Sequence, residues 1–126
     1  MIWQRAVSDE YAGRTFFLFI ALHVVMWSLV PGLTRHELDS DSMMHFAWGQ
    51  EWRWSYSLHP PLVPWVVAGF LKIFGINNLS YVVLSQVNIA LALTAIWFLA
   101  RQFFSARVAL AAVCLLEFIP YYSFLS

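Results

Sequence analysis

Apolar residues run through this chain in long blocks, broken by one polar stretch. Thr15 to Val30 is uncharged apart from a proton that His23 could carry. Extended to Leu33, it reaches the ~18–20 residues a helix needs to cross hydrocarbon. Pro31–Gly32 is its expected stop. Leu62 to Phe74 is apolar but short, with a helix rise of about 20 Å. Pro60–Pro61 should open that helix, because proline suits the first turn, where an N–H has no partner to lose. Lys72 near its end can snorkel. Gly75-Ile76-Asn77-Asn78 reads as a turn, with Ser80 as a candidate cap for the next helix. Tyr81 to Ala100 is a full-length apolar segment. Its Gln86 and Asn88 are expected to hold neighbouring helices, as polar groups in membranes do. Val108 to Ile119 begins another apolar block, interrupted by Glu117 and Pro120.

This pattern predicts an all-α integral membrane protein with about four transmembrane helices. A tail over residues 1–14 mixes both charge signs and reads as solvated. Spans are expected over 15–33, 61–75, 80–100 and 107–126, with an extracytoplasmic loop over 34–60. The tail carries Asp9 and Glu10, and no small-residue cleavage site follows the first apolar block. That excludes a signal peptide in favour of an uncleaved anchor.

Composition sharpens the class. The 126 residues are 61% hydrophobic and 11% charged, with a mean hydropathy of +0.67. Soluble domains are roughly 45–50% apolar and about 25% charged. The formal net charge is zero, so no basic surface points to nucleic acid. The single cysteine, Cys114, lies in an apolar run and reads as a small buried residue.

The loop between Arg35 and Trp65 concentrates the chemistry. It holds four of the seven acids, three of the four histidines and four of the seven tryptophans. Leu38-Asp39-Ser40-Asp41-Ser42 is a cluster of N-capping residues ahead of a helical pattern. From Asp41, the same-face positions are His45, Trp48 and Trp52, which sets a carboxylate, an imidazole and two indoles on one stripe. Met43, Phe46 and Ala47 occupy the other side. The stripe predicts an amphipathic helix lying on the membrane surface, with its tryptophans at headgroup level. In the plain structural account, Asp39 or Asp41 caps that helix and the tryptophans form an aromatic belt. In the functional account, one carboxylate acts as a base on a lipid-linked substrate, with His59 or Arg53 near its phosphate. The spacing of Asp39, Asp41 and His45 matches no compact metal motif. No metal or cofactor is therefore expected.

Leu38-Asp39-Ser40-Asp41, Trp48-Gly49-Gln50-Glu51-Trp52 and Tyr56-Ser57-Leu58-His59-Pro60-Pro61-Leu62 together resemble the first extracytoplasmic loop of bacterial family 39-type glycosyltransferases. These belong to the GT-C class, with the protein mannosyltransferases and the aminoarabinose transferases of lipid A. The resemblance runs from about Thr15 to the chain end. It implies transfer of a sugar from a polyprenyl-phosphate donor to an envelope lipid, polysaccharide or protein acceptor, in a bacterial inner membrane. It also implies that Asp41, or else Asp39, is the catalytic base. His59 would lie near the lipid phosphate, and Arg53, Tyr56, Trp48 and Trp52 would contact substrate. Where many relatives carry a second acid, this chain has Ser42 and Met44. Relatives of this type are several times longer. The expectation is therefore an N-terminal part of such a module, completed by further spans or by other membrane subunits. The expected partners are the polyprenyl-phosphate sugar donor and membrane lipids.

Two other functions compete. A small four-span transporter would use Glu117 as its coupling acid. A non-catalytic subunit of envelope polysaccharide assembly would keep the loop for binding lipid. His23 in mid-span is expected to bond to a neighbouring helix. Glu117 is expected to pair, to relay protons or to sit at the interface, since a carboxylate in hydrocarbon is costly. Four full crossings from a cytoplasmic N-terminus would put the Arg101–Arg107 link outside, against the positive-inside rule. An incomplete crossing by 61–74 would remove that conflict.

Overall fold

The computed structural model describes the backbone of residues 2–34, 40–57 and 59–120, with side chains from Asp9 onward. Five α-helices form the described chain: α1 Ile2–Thr34, α2 Ser40–Gly49, α3 Leu62–Phe74, α4 Asn78–Phe103 and α5 Ala106–Leu116. Within α1, the stretch Asp9–Thr34 is 26 residues of span-grade hydropathy, and α4 is likewise 26 residues. Each is about 39 Å long, enough to cross ~30 Å of hydrocarbon. Their outer faces expose Leu18, Leu22, Met26, Leu91, Phe98 and Leu99. In water such faces would be an aggregation hazard, whereas against lipid they cost nothing.

The chain divides into two compact units. The first comprises Met1–Trp27 and Gln86–Ser126. Its core is Ala12, Phe16, Leu93, Trp97, Ala106, Ala109 and Val113. The alanines let the helices approach closely, as small residues do in membranes. Phe16 stacks on Trp97 with ring centroids 4.5 Å apart. One helical turn further, Arg101 reaches Asp9 at 3.4 Å and lies over the Trp97 ring. Within this unit the start of α1 therefore meets the end of α4, and the portions of the two helices up to Trp27 and from Gln86 run antiparallel. After Ser105, α5 turns back, placing Ala106 in the same core.

The second unit spans Ser28–Ser85. Here the end of α1 meets the start of α4, where the Asn78 side-chain amide donates to the Pro31 carbonyl at 3.3 Å. Between these helices, α2 packs against α3. A Cβ on Gly49 would overlap the Pro64 carbonyl and the Ala68 methyl, so the close approach requires glycine. Val67, Leu71 and Leu84 fill the centre of this unit, flanked by Phe46, Phe70 and Tyr81.

Several boundaries differ from expectation. The segment 1–14 is helical from Ile2 and continuous with the first apolar block. The Arg14–Glu10 pair at 2.6 Å has the i,i+4 spacing that supports exposed helix. Pro31 lies inside α1, which runs on to Thr34. Ser80 does not cap α4; the Asn77 side chain does, accepting from the Ser80 N–H at 2.8 Å. The Ser80 hydroxyl instead donates to the Phe74 carbonyl at the end of α3. Gly75, at φ 97°, makes the turn between the two helices. α3 has 13 residues and rises about 20 Å, the short apolar helix the sequence leads one to expect. α5 stops at Leu116. Pro120 has no N–H to offer the Leu116 carbonyl, which Ile119 takes in a tighter turn.

Candidate functional site

The polar loop folds back on α2 through a tight reversal. After Gly49, the N–H groups of Gln50 and Glu51 bond to the carbonyls of Ala47 and Trp48. Trp52 then adopts φ 47°, a left-handed conformation uncommon outside glycine. The chain returns along α2, and Pro60–Pro61 leads into α3, with Pro61 at the N-cap.

This return assembles four rings. Trp48 stacks on Tyr56 with centroids 5.5 Å apart and planes 12° apart. His59 lies 5.8 Å from Trp48 and edge-on to His45 at 4.9 Å. His45 also meets Trp48 at 6.4 Å. Both ring nitrogens of His45 are shielded from solvent, whereas His59 is exposed. The Tyr56 hydroxyl oxygen accepts from the Arg53 N–H at 3.1 Å, which fixes the phenol ring against the indole. The result is a wall of aromatic faces carrying two imidazoles. Aromatic faces suit the C–H face of a sugar ring, and imidazole nitrogens suit phosphate oxygens. Among the described residues no three His, Cys, Asp or Glu side chains come together as a metal set.

The expected site residues fall in different places. Trp48, Tyr56 and His59 come together. Trp52 does not join the Asp41–His45–Trp48 stripe, because α2 ends at Gly49 and the backbone reverses at Trp52. Its indole stacks on Trp65 at 5.7 Å, with Trp54 edge-on to the same ring. Arg53 pairs with Glu51 at 2.6 Å. Both partners are exposed, so the pair is weak, at about 0–1 kcal/mol, and separable by a stronger anion. Asp41 is exposed in the first turn of α2, one turn before His45. Asp39 lies outside the described residues. His45 and Trp65 were not among the expected contacts. The i+4 spacing from Asp41 to His45 is the one signal that could have promoted the first.

In the first unit, Glu117 is bound on both carboxylate oxygens. His23 Nδ1 lies 2.8 Å from Oε2, and the Trp27 indole N–H donates to Oε1 at 2.5 Å. His23 is thus bonded to another helix, as expected, and Glu117 is paired. Gln86 is buried, and Asn88 is exposed on α4. Cys114 is half-buried.

The family of dolichyl-phosphate-mannose-protein mannosyltransferases matches over residues 58–126, just over half of the chain. The match takes in the His59-Pro60-Pro61-Leu62 junction and begins after Asp41. No curated protein and no solved structure matches the chain.

Proposed function

The chain belongs to the dolichyl-phosphate-mannose-protein mannosyltransferase family, and from that premise we propose that it moves a sugar from a polyprenyl-phosphate donor to an envelope lipid, polysaccharide or protein acceptor. The observation that carries the reading is the position of His59. It stands at the head of the matched segment and also against the Trp48–Tyr56 stack. The family segment and the acid-bearing loop therefore meet at one ring cluster.

In this mechanism the aromatic wall of Trp48 and Tyr56 receives the sugar, and His59 hydrogen-bonds the phosphate. Arg53 exchanges its exposed Glu51 partner for the phosphate, which a guanidinium can grip with two bonds. Asp41 removes the acceptor's proton as that oxygen attacks the anomeric carbon, and the polyprenyl phosphate leaves with the bonding electron pair. Asp41 stands in the first turn of α2, at the positive end of the helix dipole. Asp39 is the alternative base.

In the membrane arrangement of this reading, α1 and α4 cross, and Arg5, Arg14, Arg101 and Arg107 lie in the cytoplasm, as the positive-inside rule prefers. The loop with Asp41 and His59 faces the extracytoplasmic side of a bacterial inner membrane. The test is release of polyprenyl phosphate from a polyprenyl-phosphate sugar by the chain in proteoliposomes. Donor bound without release would replace this reading with a non-catalytic lipid-binding subunit.

A further inference from the structure

Among the described residues, His23 is the most enclosed titratable side chain outside the ring cluster. Its side chain has 0% exposure, against 24% for Glu117. It lies about 21 Å along α1 from Asp9, deep within the span. Its Nδ1 is committed to the Glu117 carboxylate, and the second carboxylate oxygen is held by Trp27. Among the described residues, Cys114, one turn before Glu117, is the other titratable group beside that carboxyl. In the tautomer that donates from Nδ1 to an ionised Glu117, the lone pair of a neutral imidazole lies on Nε2. Among the described residues Nε2 has no hydrogen-bond partner, although it is sealed from solvent. A buried acceptor left bare is destabilising, and more so in a region without water.

The same element is broken at this point. α5 ends at Leu116, and residues 117–119 wind into i+3 turns ahead of Pro120. Non-helical backbone at membrane depth is tolerated where it is buried in protein or lines a water-filled cavity. In the Nδ1-donating tautomer these features give an acceptor on a fixed ring with no partner among the described residues.

We propose that His23 holds this tautomer and that its Nε2 is an intramembrane acceptor site for one O–H group, held in register by Glu117 and Trp27. The donor is a water molecule or the hydroxyl of a lipid. The site is separate from the ring cluster and does not depend on sugar transfer.

The test is 15N NMR of the full chain, labelled at histidine, in nanodiscs. The His23 signals are assigned by their loss in His23→Asn. The site predicts a protonated Nδ1 and an Nε2 resonance displaced upfield from a bare imidazole nitrogen, as an accepted hydrogen bond requires. Magnetisation transfer from water to His23 would identify water as the donor. No such transfer, with a displacement present in phosphatidylglycerol nanodiscs and lost in hydroxyl-free phosphatidylcholine, would identify a lipid hydroxyl. Glu117→Gln should move the proton to Nε2 and abolish the displacement, because the amide offers Nδ1 an N–H donor. A bare Nε2, a proton on Nε2 in the unsubstituted chain, or a displacement with neither water contact nor lipid dependence would each overturn the proposal.

Discussion

The indole of Trp48 and the phenol of Tyr56 lie face to face, 5.5 Å between centroids and 12° from parallel, although the helix carrying Trp48 ends one residue later. The stack exists because the chain reverses at Trp52 and the Arg53 N–H pins the Tyr56 oxygen. If this wall receives the sugar, Trp48→Ala should weaken donor binding about two- to tenfold. That corresponds to the ~0.5–1.5 kcal/mol of an aromatic stack. Trp48→Phe should recover most of it. Equilibrium binding of a radiolabelled polyprenyl-phosphate sugar reads both. Unchanged binding in the alanine variant would remove the wall from the site.

Asp41→Asn should lower the rate of sugar transfer about 10²–10⁴-fold, the usual contribution of a positioned base. Donor binding should stay unchanged, since the base acts on the acceptor. Asp39→Asn, tested in parallel, should leave the rate within a few fold. A reversed pattern would move the base to Asp39. Retained turnover in both variants would exclude a loop aspartate as base.

The parts of the fold legible in the sequence are those set by local pattern. Two long apolar runs gave α1 and α4. The Pro60–Pro61 pair gave the start of α3, and Asp41-Ser42 the start of α2. The Tyr56 and His-Pro-Pro-Leu pattern pointed at the residues that gather on Trp48. What sequence could not show depended on backbone reversal or distant pairing. Helical periodicity carried the stripe past Gly49 to Trp52, but α2 has no room to continue once Gly49 is pressed against Pro64. Ser80 and Asn77 are both competent caps. The choice fell to Asn77 because the Ser80 hydroxyl closes the end of α3. His23 and Glu117 are 94 residues apart, and no local signal joins them.

Gly49 and Gly69 form a controlled pair for the α2–α3 contact. A methyl on Gly49 overlaps Pro64 backbone, whereas nothing lies within 4 Å of a Cβ on Gly69. Gly49→Ala should destabilise the protein by about 1–3 kcal/mol, the usual cost of overpacking. Gly69→Ala, inside α3, should be neutral or stabilising by up to about 1 kcal/mol from helix propensity. Thermal melts in one detergent compare them directly. Equal midpoints for the two variants would show that α2 does not rest on α3 through Gly49.

The Glu117 hydrogen bonds should couple the helices they join. In a double-mutant cycle, His23→Ala and Glu117→Ala should show an interaction of about 0.5–2 kcal/mol. Polar pairs in membranes average ~0.6 kcal/mol, with a maximum of ~1.7. Reversible unfolding in mixed micelles supplies the four stabilities. Strict additivity would mean that the two side chains do not interact in the folded protein.

The proposed membrane arrangement makes a topological prediction that four crossings would not. In the second unit the Asn78 amide meets the Pro31 carbonyl, which supports a chain that leaves and re-enters the bilayer on one side between Thr34 and Asn78. With α4 crossing, Ser57 and Ser105 should lie on opposite sides. In a Cys114→Ser background, Ser57→Cys should react with a membrane-impermeant maleimide in intact spheroplasts. Ser105→Cys should react only after permeabilisation. Four full crossings would put both positions outside, so labelling of both in intact spheroplasts would restore α3 as a span and overturn the proposed arrangement. The reverse pattern, with Ser105→Cys alone labelled, would keep the two-crossing fold but invert it, moving the Asp41 loop to the cytoplasm and away from an extracytoplasmic acceptor.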